Sequence, residues 1–189
     1  MNIGLYFGSF NPIHIGHLLI ASYVADSNIV DKVWFVVSPQ NPLKPSHSLL
    51  NEYDRLNLVN LAIENDNRFK AVDIEFRLPK PSYTIDTLEY LTEKYPSYHF
   101  YIIIGGDSYL NLPKWKNYDI LSTRYHFIIY NRPNIHFPFP EQPNFHVLDA
   151  PLLQISSTEI RQRIKDKKSI MYMMPENVRI EMERNGYYK

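Results

Sequence analysis

The sequence predicts an α/β protein with a Rossmann-like parallel sheet and helices on both faces of that sheet. Three observations support this prediction. Short runs of β-branched and aromatic residues alternate with segments of helical periodicity along the chain. One run, HFYIIIG at 99–105, is apolar without a break, which is typical of a strand buried on both faces. Two runs end on glycine, at Gly8 and Gly105, and a glycine at a strand end lets a ligand approach the backbone closely.

The predicted strands and helices alternate in chain order. We predict strands at residues 2–7, 32–38, 70–74, 99–105, 125–130 and 145–149. We predict helices at 16–28, 51–65, 84–95 and 115–121, and two more that begin at Ser157 and after Pro175, the last one ending near Gly186. In the second helix the apolar face consists of Leu56, Val59 and Ile63. We expect a single domain over residues 1–189, with a small C-terminal helical segment.

Composition and charge exclude several classes of function. Twenty Lys and Arg residues balance 20 Asp and Glu residues, so the basic excess of a nucleic-acid-binding protein is missing. There is no cysteine, which excludes disulfides, zinc–thiolate sites and thiol catalysis. The amino terminus lacks a signal-peptide pattern, and the longest apolar runs are too short to cross a bilayer. We therefore expect a cytoplasmic protein without a nucleic-acid or membrane partner, while a homo-oligomer remains open.

The loop after the first predicted strand, GSFNPIHIGH at 8–17, combines glycines, an Asn-Pro turn and two histidines. It matches neither the GxGxxG nor the Walker A pattern. His14 and His17 are three residues apart at a predicted helix start, so they share one face, and Gly16 leaves that end of the helix open. The free N–H groups and the dipole of a helix start favour a bound anion.

Three interpretations of this histidine pair are open. Both side chains could be ordinary polar residues at a helix start. They could bind a metal, but the remaining histidines are scattered and supply no third ligand, so we predict no metal site. They could donate hydrogen bonds to phosphate oxygens and stabilise the charge that develops in nucleotidyl transfer. The third interpretation is favoured because it uses the helix start, the glycines and both imidazoles together.

A second anion-binding pattern, ISSTEIR, lies at residues 155–161. Ser156 and the glutamate three residues later have the spacing of a capping box, which predicts a helix start. Backbone donors near Ser157 and Thr158 remain free for an anion, and Arg161 lies about one turn further along. A capping box alone indicates only a helix start, whereas the added hydroxyls and the arginine favour a polyphosphate site.

These two motifs together resemble those of the nucleotidylyltransferase superfamily, whose HxGH signature is shared with class I aminoacyl-tRNA synthetases. In order and spacing the whole chain is similar to the bacterial nicotinate-nucleotide adenylyltransferases. The other matching segments are SYTIDTL (82–88), IIGGDSYLNLPKW (103–115), NRP (131–133) and MPENVRIEMERNGYY (174–188). The resemblance implies adenylyl transfer from ATP, which carries Mg²⁺, to nicotinate mononucleotide. The implied products are deamido-NAD, an intermediate of NAD biosynthesis, and pyrophosphate.

The resemblance also implies roles for individual residues. It implies that His14, His17 and Arg161 are catalytic residues at the ATP phosphates, with His17 as the main stabiliser of the transition state. The residues that it implies bind ATP are Gly8, Ser9, Phe10, Gly16, Gly105, Asp107, Ile155, Ser156, Ser157 and Thr158. Those that it implies bind nicotinate mononucleotide are Lys44, Thr84, Trp115 and Lys116.

Two of the implied acceptor contacts agree with simple physical chemistry. Thr84 lies at a predicted helix start, where free N–H groups suit the pyridine carboxylate. Trp115 offers a flat face on which a pyridinium ring can stack. Ordinary core packing is an equally good explanation for this tryptophan.

The chain departs from the family pattern at Asn11, at Leu43 and at Gly106, where glycine replaces a more usual alanine with no expected effect. Asn11 stands where the family usually has aspartate, and Leu43 stands where it often has histidine, so the role of the 39–48 loop is open. The alternative acceptors are nicotinamide mononucleotide and another phosphate such as phosphopantetheine. A synthetase fragment is disfavoured because no KMSKS sequence is present. A non-catalytic nucleotide sensor could use the same cleft, but the intact histidines and arginine argue against it.

Overall fold

The computed structural model describes residues 1–40, 49–130, 142–151 and 153–189. The strands are β1 (Asn2–Gly8), β2 (Lys32–Val37), β3 (Phe69–Val72), β4 (His99–Gly105), β5 (His126–Tyr130) and β6 (Phe145–Leu148). They form one parallel sheet in the order β3-β2-β1-β4-β5-β6. The predicted Rossmann-like architecture is confirmed, and each predicted strand is present within two residues of its predicted bounds.

Helices connect these strands and follow the last of them. They are α1 (Ile15–Asp26), α2 (Glu52–Ile63), α3 (Thr84–Lys94), α4 (Gly106–Leu110), α5 (Tyr118–Arg124), α6 (Ser157–Lys165) and α7 (Glu176–Asn185). Two 3₁₀ turns lie at Ile74–Arg77 and Leu112–Lys114. None of the helices in the described part of the chain has the length and apolarity that crossing a membrane requires.

The helix predicted at 115–121 was misplaced. The structure has α5 three residues later, and α4 lies in a segment where no helix is predicted. Both helices are too short to show a clear apolar stripe, and the paired glycines and Pro113 indicate a break in structure. Whether α4 and α5 form therefore depends on the packing of this segment beside β4 and not on its local sequence pattern.

The sheet is buried on both faces, as expected for parallel strands covered by helices. Residues of β2 alternate between the two sides, with Val33, Phe35 and Val37 in one core and Trp34 and Val36 in the other. Helices α1, α2, α6 and α7 cover the first side. Helices α3 and α5 cover the second.

The apolar face predicted for α2 packs against the core, with Val59 and Ile63 buried and Leu56 half-buried. The buried face is wider than predicted, because it also includes Leu58 and, in the first turn, Arg55. A guanidinium can occupy such a position only when its N–H groups are satisfied by hydrogen bonds.

The strand order reverses direction between β1 and β4, which are hydrogen-bonded neighbours. In open α/β sheets, ligands bind beyond the carboxyl ends of the strands at this reversal. The loop that follows β1 and the start of α4 that follows β4 therefore face one another at the same edge of the sheet.

Candidate active site

A cavity of about 1000 Å³ opens at this edge of the sheet. Every residue that the sequence analysis assigned to the site lines the cavity, apart from Lys44. Lys44 and its neighbour Leu43 lie outside the described residues. The lining comes from the loop after β1, the starts of α1, α3, α4 and α6, and the segment between the second 3₁₀ turn and α5. Residues from both ends of the chain thus share one cavity.

The two histidines of the first loop stack on each other at the start of α1. His14 is the N-cap residue, is 5% exposed, and its ring centroid lies 3.7 Å from that of His17. The backbone N–H of His14 donates to Nδ1 of His17 at 3.2 Å. Because Nδ1 of His17 accepts this bond, the proton of the neutral ring lies on Nε2. His17 therefore presents an Nε2–H donor as part of the cavity lining.

Gly16 is required where the two motifs touch. A Cβ atom on Gly16 would lie 2.8 Å from the side chain of Ile155 and 3.0 Å from the ring of His14. Real Cβ atoms essentially never make a contact of 2.8 Å, and one of 3.0 Å is rare, so a larger residue here would displace Ile155 or His14. The glycine of the HxGH motif thus allows the two ends of the chain to pack together.

The ISSTEIR segment begins α6 as predicted. Ser156 is the N-cap residue, and its hydroxyl accepts from the backbone N–H of Glu159 at 3.1 Å. Only this half of the predicted capping box forms in the described structure. The start of the helix and its N–H groups line the cavity, which suits an anion there.

Side chains of α6 donate hydrogen bonds to the loop after β1, residues 9–14. The hydroxyl of Ser157 donates to the carbonyl of Pro12 at 2.8 Å. Nη1 of Arg161 donates to the carbonyl of Asn11 at 2.7 Å, and Nη2 donates to the hydroxyl of Thr158 at 3.2 Å. The guanidinium is thereby held beside the segment at residues 8–17 that carries both histidines, which we call the histidine loop. There its charge can stabilise an anion in the cavity.

The start of α3 forms the opposite side of the cavity. Thr84 is the first residue of α3, and the N-cap residue Tyr83 provides no side-chain hydrogen bond to the helix start. Trp115 is half-buried on the wall beside it. The ammonium of Lys116 contacts both carboxylate oxygens of Asp86 at 2.9 Å and lies 4.8 Å from the centre of the Tyr83 ring.

Sequence analysis missed Arg55, a buried residue whose hydrogen bonds hold together backbone segments next to the cavity. Its side chain is fully buried and donates to the carbonyls of Ser9 at 2.5 Å, Ser38 at 2.8 Å, Pro39 at 3.1 Å and Leu50 at 2.8 Å. Burial lowers the pKa of the Arg55 guanidinium from its ordinary value, but arginine remains protonated in proteins. The sequence contained one signal for this residue: a charged side chain lies one turn before apolar residues, on the side of an amphipathic helix that is expected to be buried.

Sequence analysis also missed Glu75, a buried carboxyl that lines the cavity at 2% exposure. It accepts hydrogen bonds from the hydroxyls of Ser82 at 2.7 Å and Thr87 at 3.0 Å. Burial raises the pKa of Glu75, and the hydroxyl hydrogen bonds act in the opposite direction. Glu75 thus fixes the residues on both sides of the α3 start. No sequence pattern marked it, because it lies in a short 3₁₀ turn.

The described residues contain no group of three or more His, Asp or Glu side chains placed to hold a metal ion. The absence of a metal site at His14 and His17 remains a prediction.

Comparison with known proteins gives consistent matches. Residues 5–163 match the family model described as cytidylyltransferase-like. The chain is 47% identical to the probable nicotinate-nucleotide adenylyltransferase of Flavobacterium psychrophilum, with all of both chains covered. It is 48% identical to the protein of the same name from Cytophaga hutchinsonii, over 100% of this chain and 98% of that one.

Among solved structures, the fold is similar to Plasmodium falciparum nicotinic acid mononucleotide adenylyltransferase complexed with NaAD. The TM-score is 0.83 at 24% sequence identity, and the match covers 99% of this chain and 97% of that one.

Proposed function

The chain belongs to the cytidylyltransferase-like family and, within it, to the nicotinate-nucleotide adenylyltransferases. On this basis we propose that it transfers the adenylyl group of ATP to nicotinate mononucleotide. The products are deamido-NAD and pyrophosphate, a step of NAD biosynthesis. One observation carries the proposal most strongly. The histidine loop and the arginine of α6 are hydrogen-bonded to each other in the same cavity that the start of α3 lines.

The reaction requires one displacement at phosphorus. An oxygen of the 5′-phosphate of the mononucleotide attacks the α-phosphorus of ATP and forms a new P–O bond. The bond between the α-phosphorus and the bridging oxygen breaks, and pyrophosphate leaves with its electron pair. The attacking phosphate is already ionised at neutral pH, so no general base is needed. Catalysis therefore depends on positioning and charge stabilisation, and Mg²⁺ enters as part of the Mg–ATP substrate.

The proposed phosphate end of the site consists of the starts of α1 and α6. His17 donates from Nε2 to the oxygens on which negative charge develops, with His14 stacked beneath it. The N–H groups at the start of α6 and the guanidinium of Arg161 bind the leaving pyrophosphate. The carboxylate of Asp107, at the start of α4, accepts hydrogen bonds from the ribose hydroxyls of ATP.

The proposed acceptor end consists of the start of α3 and the wall beside it. The free N–H groups at Thr84 bind the nicotinate carboxylate, and the backbone of Lys116 completes this contact. Trp115 stacks on the pyridinium ring. We assign Lys44 to the phosphate of the acceptor on the resemblance alone. A cytoplasmic location and the absence of a nucleic-acid partner likewise remain predictions.

Pyrophosphate release with ATP and each of the two mononucleotides tests the proposal. We expect kcat/KM for nicotinate mononucleotide to exceed that for nicotinamide mononucleotide by about 10²-fold. Sites built to hydrogen-bond one substrate group can reject its analogue by about 10⁴-fold. The expected ratio is smaller because an amide keeps one acceptor oxygen.

Equal values for the two mononucleotides would contradict the assignment of nicotinate as the preferred acceptor. ATP binding without pyrophosphate release from either compound would indicate a nucleotide sensor. Turnover only with phosphopantetheine would identify a different adenylyltransferase.

A further inference from the structure

The last residues of the chain return to the histidine loop. The hydroxyl of Tyr188, the penultimate residue, donates to Oδ1 of Asn11 at 2.7 Å across 177 residues of sequence. The same oxygen accepts from the backbone N–H of Leu50 at 3.1 Å. Asn11 is 5% exposed. An amide oxygen has two lone pairs, and these two donors use both of them.

The backbone of Asn11 continues this connection toward the catalytic arginine. Its carbonyl accepts from Nη1 of Arg161 at 2.7 Å. The peptide of Asn11 is therefore fixed on one side by Tyr188 and Leu50 and holds Arg161 on the other. A shift of Asn11 would move the guanidinium away from the histidine loop.

Tyr188 is held in place by more than its own hydrogen bond. Its φ of +66° lies in the left-handed region, which a bulky residue adopts only when the surrounding structure imposes it. Helix α7 ends at Asn185 and is capped by Gly186, which is also left-handed. The backbone N–H of Tyr187 closes that end by donating to the carbonyl of Met182 at 3.0 Å. Burial raises the pKa of the Tyr188 hydroxyl, so this group stays protonated and remains a donor at neutral pH.

We propose that Tyr188 is a positioning residue for the adenylyl-transfer reaction. It orients Asn11, and through the Asn11 carbonyl it fixes the guanidinium of Arg161 at the phosphate end of the cavity. The structure assigns to the C-terminal Tyr188 a function at a site formed by the first seventeen residues and by α6. This inference rests on the proposed function for its kinetic readout.

Replacement of Tyr188 by phenylalanine tests the inference because it removes one oxygen and leaves the ring. We expect kcat to fall about tenfold and the KM for ATP to rise severalfold, because small displacements of a catalytic group cost one to two orders of magnitude in rate. The KM for the mononucleotide stays unchanged, since Arg161 acts at the ATP phosphates. Loss of packing alone would not produce this division between the kinetic constants.

Tyr187→Phe is the matched control. Tyr187 is the adjacent tyrosine, and burial, together with the nearby carboxylate of Asp54 on α2, raises the pKa of its hydroxyl. We expect its kinetic constants to equal those of the unmodified enzyme. Tyr188→Phe kinetics that match those of Tyr187→Phe would overturn the inference.

A double-mutant cycle separates positioning from a general loss of stability. In an Arg161→Gln background the effect of Tyr188→Phe on kcat should largely disappear, because the group on which Tyr188 acts is already missing. Fully additive effects would overturn the inference.

If the enzyme releases no pyrophosphate with nicotinate mononucleotide, the proposed function fails by itself. ATP affinity measured by calorimetry then tests Tyr188 independently, with weaker ATP binding expected for Tyr188→Phe and unchanged binding overturning the inference.

Discussion

The phosphate end and the acceptor end of the cavity are built in different ways. At the phosphate end, the bonds that hold the site connect residues 145, 150 and 177 positions apart. At the acceptor end, they connect residues 7, 12 and 30 positions apart. Within the acceptor end, the groups that hold the site range from the buried Glu75, 2% exposed, to the side chains of Lys116 and Asp86, which are 43% and 35% exposed.

We infer from this difference that the phosphate end serves the chemical step and that the acceptor end serves the choice of substrate. Transition-state stabilisation needs donors fixed within a fraction of an ångström, and at the proposed phosphate end the bonds that hold the loop after β1 join segments far apart in sequence. The acceptor end consists of local elements that can change without disturbing the phosphate end. We therefore expect substitutions at the phosphate end to reduce turnover with any acceptor, and those at the acceptor end to change acceptor binding.

The largest effect is expected for His17→Ala. Loss of the Nε2–H donor should lower kcat about 10²–10³-fold, the usual cost of removing one such donor. Initial rates of pyrophosphate release at saturating substrates measure this change, and circular dichroism checks the fold. His99→Ala, at the exposed start of β4, is the control and should keep full activity. A folded His17→Ala enzyme with near-normal kcat would contradict the role of the phosphate end.

A smaller effect is expected for Trp115→Ala. The KM for both mononucleotides should rise about tenfold, because a desolvated cation–π contact contributes roughly that much whatever the ring substituent. The KM for ATP should stay unchanged. If the KM for ATP rises equally, Trp115 acts through core packing, and the two ends of the cavity are not separable.

A still smaller effect is expected for Lys116→Met. This change exposes the carboxylate of Asp86 in the first turn of α3, where it would repel the substrate carboxylate. Preference for nicotinate over nicotinamide mononucleotide should fall about threefold, the scale of an exposed ion pair. Asp86→Asn in the same background should restore the preference. A preference that stays low in the double variant would show that the charge of Asp86 is not the cause.

The smallest effect is expected for the pH dependence of stability at Glu75. Its pKa is raised in the folded state, so the folded protein holds this proton more tightly than the unfolded chain does. The contribution of Glu75 to stability is therefore fully present below the unfolded pKa of about 4.3 and is lost as pH rises through the folded pKa. We expect Glu75→Gln to flatten the fall in unfolding free energy over this range, as measured by urea titrations at several pH values. An identical slope in both proteins would contradict this assignment.

Several features of the protein were determined by the sequence alone. Strand positions follow from apolar runs, and the helix starts at 84 and 157 follow from residues within one turn of them. The HxGH and ISSTEIR motifs marked two segments as parts of one site, and the structure brings both to the same cavity. These signals are local, because periodicity and capping depend on neighbours a few residues away.

Other features were decided only by the tertiary structure. Arg55 and Tyr188 could not be assigned to the site from the sequence, because most of their partners lie on other segments that the strand order brings together. Glu75 has partners only 7 and 12 positions away, but it lies in a short 3₁₀ turn that no sequence pattern marked. At position 11, where the family usually has aspartate, the side-chain oxygen of asparagine accepts two hydrogen bonds. An uncharged amide oxygen can accept both of them. Sequence determines what each segment can form by itself. The partners of a buried polar group are set by the packing of the whole sheet, since such a group must be satisfied wherever the fold places it.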